Sequence, residues 1–243
     1  MDAARVEACF VTVAGEVVQQ RLGRAAGQVR FEELGPVAAF PVVPGRSWGP
    51  GWWWSSTTGR LVAHGSMAMR MQLMLLDRER SVTGLAGRPV RLLWREEDGV
   101  VRSWVPQLFA RYADGGALLA DCPAVAGVGG LAAQRAARVL AQVCEGVGWV
   151  YRRLEPPSPV VAANVRWLAG YRHPRFGADG VLREAVLAAF AEPRPLADGV
   201  AAVGVPLRAG PMVFHLLWSG ALSTELADRP LDAGTVVGRG VAA

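Results

Sequence analysis

The chain of 243 residues contains no lysine, no isoleucine and a single asparagine, Asn164; all 26 of its basic side chains are arginine. Without an ε-ammonium group, mechanisms built on a Schiff-base lysine, a P-loop lysine or a nuclease lysine are excluded for this chain acting alone. The skew fits a GC-rich coding sequence. Cysteine is also scarce. Cys9, Cys122 and Cys144 are odd in number and lack CxxC spacing, which points to buried reduced thiols rather than a disulfide framework or a zinc site. No uncharged run is long enough to span a bilayer; the longest, between Arg208 and Glu225, is interrupted by Gly210, Pro211 and Gly220. Asp2, Arg5 and Glu7 are unlike a secretory h-region. The expectation is a cytoplasmic protein.

What is present is apolar surface to bury: 51% of residues are hydrophobic and 19% charged, a globular composition with length for one large domain or two small ones. The net charge of +5 is unevenly spread. Residues 1–154 hold 18 arginines against 13 acidic residues, whereas residues 155–243 hold 8 of each. The basic surplus permits a polyanionic partner without requiring one.

Along the chain, alternation over "RVEACFVTV" from Arg5 and "QVRFEEL" from Gln28 predicts two strands. Four of the nine tryptophans, Trp48, Trp52, Trp53 and Trp54, lie in a Gly/Pro/Ser/Thr-rich segment from Pro41 to Gly59, readable as a loop clamped to the core or as a stacking platform for nucleic acid. From Leu61 to Arg80 a run with Met67, Met69, Met71 and Met74 reads as a buried helix. Three β-like runs follow, from Arg88, Val100 and Gly116, expected to form a meander. A helix from Leu131 and a strand from Trp149 complete the order helix, three strands, helix, strand. The proline-rich "EPPSP" from Glu155 marks a linker. Beyond it, helices near Val160, Asp179 and Pro211 and a closing hairpin suggest a winged-helix-like domain. The predicted organisation is therefore α+β, with domains at 1–154 and 155–243.

Seven segments carry a more specific signal: "FPVVPGRSWGPGWWWSSTTGR", "MLLD", "RPVRLLW", "FARYADG", "LLADC", "NVRWLAGYRHPR" and "AFAEPRPL" followed by "FHLLWSGALSTEL". In order and spacing they resemble the TnsA-like endonuclease subunits of bacterial heteromeric transposases, in particular their actinobacterial branch. The resemblance implies a restriction-endonuclease-like N-terminal domain with an αβββαβ core, and a winged-helix-like C-terminal domain. It also implies action on DNA, cutting the 5′ ends of a mobile element, beside a DDE-type recombinase subunit and an ATPase regulator.

The family's chemistry needs a divalent metal held by hard oxygen ligands. Carried over residue by residue, its helix glutamate falls at or beside Gly65, its aspartate before the second strand becomes Gln107, its third-strand acidic position is Asp121, and its basic residue two places on becomes Pro123. One carboxylate and a glutamine carbonyl make a poor Mg²⁺ cage, so no cofactor is expected. Glu96, Glu97, Asp98 and Asp114 are substitutes on paper, but they fall in predicted turns. His64, beside the lost glutamate, reads as a satisfied or surface histidine.

In the C-terminal part Arg166, Arg172 and Arg175 cluster beside Trp167 and Tyr171, suited either to phosphate contact or to packing under arginine stems. Three functional readings follow: an inactive TnsA-like subunit that binds DNA or a partner within a transposition complex, an Mg²⁺-dependent endonuclease whose site has migrated, and an interaction module outside transposition.

Overall fold

The computed structural model describes residues 5–40, 49–125 and 130–240. The chain divides into two compact units between Pro156 and Pro157. Among the described residues no helix is long and apolar enough to cross a membrane.

The first unit opens with β1 (Glu7–Val11), β2 (Val17–Arg21) and α1 (Leu22–Gln28), then β3 (Gly51–Trp54), β4 (Leu61–His64) and α2 (Met67–Arg78). There follow β5 (Val82–Gly87), β6 (Arg91–Arg95), β7 (Val101–Trp104), β8 (Leu108–Tyr112), β9 (Ala117–Asp121), α3 (Leu131–Glu145) and β10 (Trp149–Arg153). Two four-stranded sheets result, ordered β2-β1-β6-β7 and β5-β8-β9-β10, with β3-β4 as a separate hairpin. In the second of these sheets β5, β8 and β9 are antiparallel neighbours, and β10, returning through α3, runs parallel to β9.

The expected meander needs correcting in its members. The run from Arg88 forms β6, which pairs with β1 in the other sheet. The run from Val100 is two strands, interrupted before Pro106, whose missing N–H cannot serve a central ladder. The true first strand, β5, contains Gly84 and Gly87 and so carries little β propensity. Those glycines answer to close packing: a Cβ on Gly87 would stand 2.0 Å from the Ala63 carbonyl oxygen, and one on Gly84 would stand 2.6 Å from Glu32 Cβ.

The core between the two sheets and α3 gathers Val6, Phe10, Leu92, Phe109, Leu119, Leu140 and Val143. Within it the rings of Phe10, Phe31, Phe109 and Trp149 meet at centroid distances of 5.4 to 5.8 Å, mostly edge to face. Helix α2 packs on β5 and β8. The β5-β8-β9-β10 sheet is thus covered on both sides, which accounts for the unbroken apolar runs of β8 and β9.

The second unit contains α4 (Pro159–Ala169), α5 (Gly180–Ala189), β11 (Arg194–Pro195), α6 (Leu196–Ala202), α7 (Pro206–Trp218), β12 (Leu222–Ser223) and β13 (Val236–Arg239). Among the described residues there are four α-helices rather than three, and the expected hairpin is a three-stranded sheet with β13 between β11 and β12. The α7 helix begins five residues earlier than predicted, with Pro206 in its first turn and Pro211 inside it. The carbonyl that Pro211 leaves without a donor belongs to Leu207, in the exposed first turn. The sole asparagine is fully used: Asn164 donates to the carbonyls of Leu226 and Arg229 and accepts from the Leu231 N–H, holding the β12–β13 connection to α4.

Candidate functional site

Strand β9 ends at Asp121 and strand β8 is entered through Gln107, so their antiparallel pairing brings these two predicted site residues together. The Gln107 N–H donates to Asp121 Oδ1 at 3.3 Å and to the Ala120 carbonyl at 2.8 Å. The Gln107 side-chain carbonyl in turn accepts the Cys122 N–H. Pro123 follows as β9 ends.

Two donors missed in the sequence complete this site. Trp104 Nε1 and the Tyr151 hydroxyl both donate to Asp121 Oδ2, at 2.7 and 2.6 Å. Trp104 comes from β7 in one four-stranded sheet, while Asp121 and Tyr151 come from β9 and β10 in the other. The carboxylate therefore fastens the two sheets together. Arg153 lies opposite Asp121 in the parallel register. Period-2 alternation could have put Tyr151 on the face shared with Asp121, but the pairing between the sheets leaves no mark in the sequence.

Burial pushes the Asp121 carboxyl above its ordinary range, against the opposing pull of Tyr151, Trp104, the Gln107 N–H and the Arg153 charge. Burial also raises the Tyr151 hydroxyl and the Cys122 thiol, each further opposed to ionising by the charge of Asp121. The Cys144 thiol is pushed up to about 12 by burial. The Tyr151 hydroxyl and the Cys122 and Cys144 thiols are thus held in their protonated forms, unsuited to nucleophilic work at neutral pH.

The fit to a divalent metal is poor on this donor set. Asp121 already accepts three hydrogen bonds, and donor protons occupy the directions in which a cation would need lone pairs. The Gln107 carbonyl is likewise committed to Cys122. Among the described residues, no group of three or more His, Cys, Asp or Glu side chains could hold a metal ion.

Gly65 departs from its expected position on a helix. It lies in the turn between β4 and α2, where Ser66 caps the helix by accepting the Met69 N–H. A Cβ on Gly65 would stand 2.2 Å from the Phe40 ring. His64 just before it is buried, and its Nδ1 has no hydrogen-bond partner among the described residues. Burial, and then the nearby Arg70 charge, lower its pKa. Glu96, Asp98 and Asp114 do lie in turns, Glu96 and Asp98 pairing with Arg102.

The tryptophan-rich segment divides in role. Trp53 is 2% exposed and donates its indole N–H to Asp77 at the end of α2, while Trp52 is 63% exposed. Trp48 lies outside the described residues.

In the second unit Arg166 and Arg175 are exposed. The Arg172 guanidinium donates to the Ala169 carbonyl at 2.7 Å, and that of Arg175 stacks over Phe176 at 4.8 Å. Beneath them Trp167, Tyr171, Phe176 and Phe214 form one aromatic cluster, with centroids 4.9 to 6.0 Å apart. Arg172 thus bonds a carbonyl at the end of α4, and Arg175 packs on an aromatic ring.

No protein-family model matches the chain, and none of the curated proteins matches it either. Fold and site together define the class: a two-unit α+β protein in which the Asp121 carboxylate serves as an internal fastening of the first unit.

Proposed function

We propose that this chain is a TnsA-like subunit that has given up strand cleavage and acts as a DNA- or partner-binding component of a DNA transposition complex. Its partners on this reading are DNA, a DDE-type recombinase and an ATPase regulator, it works in the cytoplasm, and it requires no metal. The observation that carries the reading is the Asp121 node. The one acidic position retained from the family's catalytic set is bonded to Trp104, Tyr151 and the Gln107 N–H, which suits a carboxylate kept for folding.

Two arrangements support the family assignment. A helix, three antiparallel strands, a helix and a fourth strand parallel to the third is the order of a restriction-endonuclease-like core. In the second unit, α5, β11, α6, α7, β12 and β13, with β13 central, follow the order of a winged helix.

One further observation favours a protein over DNA as the second unit's partner. The helix that would read a groove in a winged helix is α7, and its exposed start is Pro206, Leu207 and Arg208, the last paired with Asp179. The connection that would form the wing carries Glu225, Asp228 and Asp232 against Arg229. An apolar helix tip with an acidic wing is poorly suited to a phosphate backbone. The net positive first unit is the better candidate for DNA.

The test is a nicking assay on supercoiled plasmid and on linear duplex in Mg²⁺ and in Mn²⁺. No nicks are expected. Metal-dependent nicking that disappears in Asp121→Ala would overturn the proposal.

A further inference from the structure

Strand alternation assigns the outward face of the β2-β1-β6-β7 sheet. Ala8 and Phe10 of β1 and Leu92 of β6 turn inward to the core, so Glu7, Cys9, Arg91, Leu93 and Arg95 turn the other way. Pairing sets Arg21 opposite Glu7, places Gln19 and Arg91 on either side of Cys9, and sets Val101 opposite Arg95. Three guanidinium groups therefore belong to this face, from β2 and β6. Arg5, just ahead of β1, lines the same surface hollow as Arg95.

The charges on this face do not cancel. Its one carboxylate, Glu7, accepts from the Gln19 side-chain amide. Arg5, Arg91 and Arg95 have no ion pair among the described residues, and Arg95 donates to the Gly99 carbonyl. In the adjoining β6–β7 turn Glu96 and Asp98 are taken up by Arg102, which leaves Glu97 at the tip. Arg88, ahead of β6, is opposed as a cation first by burial and then by the Arg91 charge. Like charges are thus crowded where β6 begins.

Shape narrows the partner. The Cα atoms of Arg21, Arg91 and Arg95 stand roughly 12 to 13 Å from one another, from a strand spacing of about 4.8 Å and a rise of about 3.3 Å per residue. One small anion cannot bridge them, whereas an extended line of charge can. Between them lie the low side chains of Cys9, Leu93 and Ser103 and an open hollow of about 320 Å³ whose lining includes Glu7. An acidic side chain inserted into the hollow would meet that carboxylate, but a backbone riding above it would meet the arginines. None of the outward-turned residues of the four strands is aromatic, so unpaired bases have nothing to stack on.

We propose that this sheet face is where the first unit meets the phosphate backbone of duplex DNA, with Arg21, Arg91 and Arg95 each contacting a phosphate. The inference rests on the DNA-binding reading above and assigns it a surface. Contacts of this kind position a duplex without reading its bases, so binding here is independent of sequence.

The experiment is fluorescence anisotropy of the full chain from about 50 to about 200 mM salt. The probes are a labelled duplex of arbitrary sequence, oligothymidylate of the same length and a polyglutamate peptide. Arg21→Gln with Arg95→Gln, two exposed positions, should lower the magnitude of the salt slope of duplex binding by about 2, and the half-buried Arg91→Gln by about 1. Arg135→Gln with Arg138→Gln, exposed on α3 at the inward side of the sheet, should leave the slope unchanged. Duplex binding whose slope does not change in the sheet variants, or falls equally in the α3 pair, would overturn this surface and leave the DNA-binding reading standing. Tighter binding of oligothymidylate or of polyglutamate than of duplex would overturn the choice of partner. No duplex binding even at low salt would overturn both the surface and the reading beneath it.

Discussion

Replacing Asp77 with asparagine should cost the first unit much of its stability. The Asp77 side chain is almost fully buried at the end of α2, and its carboxylate accepts four hydrogen bonds. Oδ2 takes Trp53 Nε1 at 2.9 Å and the Ser56 N–H at 3.0 Å; Oδ1 takes the Ser55 hydroxyl at 2.6 Å and the Thr57 N–H at 2.9 Å. In Asp77→Asn, either orientation of the amide sets an NH₂ group against a backbone N–H. At least one pair of bonds to a charged acceptor is lost, at about 1.5 to 3 kcal/mol each. We expect a loss of about 3 to 5 kcal/mol, against the roughly 5 to 15 kcal/mol of a typical domain. The assay is urea unfolding combined with hydrogen exchange resolved by residue, because two units need not unfold together. Protection at the Ser56 and Thr57 amides should collapse, while Met212 and Val213 in α7 remain as protected as in the wild type. A cost under about 1 kcal/mol, or unchanged protection at Ser56 and Thr57, would refute the reasoning and reopen the stacking-platform reading of this tryptophan segment.

Further expectations concern the other sites. Because burial raises the Asp121 carboxyl, the folded chain holds a proton there at pH values where the unfolded chain has lost it. Its contribution to stability is therefore greatest in acid and is lost as pH rises from the unfolded carboxylate value through the higher folded one. Asp121→Asn should consequently gain on the wild type as pH is raised from about 4 to about 7; a difference in urea midpoints that does not change with pH refutes this. Gly65→Glu drives a side chain into the Phe40 ring and should cost about 1 to 3 kcal/mol. Combined with Gln107→Asp and Pro123→Lys it should still give no nicking, and recovered cleavage would contradict the account of Asp121. Replacing Arg166, Arg172 and Arg175 together by alanine should lower the magnitude of the salt slope of duplex binding by no more than about 0.9, the share of one phosphate contact from Arg166. Anisotropy titrations showing a change of roughly 2 to 3 would return all three arginines to the DNA surface.

The sequence made some of this legible and concealed the rest for definite reasons. Helices α2 and α3 and strands β8, β9 and β10 could be read because their apolar residues are numerous and periodic. Strand β5 was hidden by the glycines that let β4 and the Phe31–Glu33 turn approach it. The β6–β7 hairpin could be found but not assigned to its sheet, since its partner β1 lies far away in the chain. At the site, the neighbourhood of Gln107 and Asp121 was implied by consecutive strands. The roles of Trp104 and Tyr151 were not, because they depend on how one sheet meets another. Gly65 was expected on a helix, but Ser66 supplies the N-cap and the helix starts at Met67.

The pairing of β1 with β6 also bears on how the protein comes into being. Glu7 stands opposite Leu93, roughly 85 residues later in the chain. At synthesis rates of about 5 to 20 residues per second, the β1–β2 hairpin waits roughly 4 to 17 seconds for the strand that will cover its open edge. Throughout that wait it presents unpaired backbone groups together with Ala8 and Phe10, which are buried once folding is complete. In the second unit the sheet closes over shorter separations, Arg194 pairing with Val237 and Leu222 with Arg239, and its strands wait correspondingly less. Losses to aggregation should therefore depend on the rate and crowding of synthesis, even though β1 in the finished fold is paired on both sides and offers no edge at all.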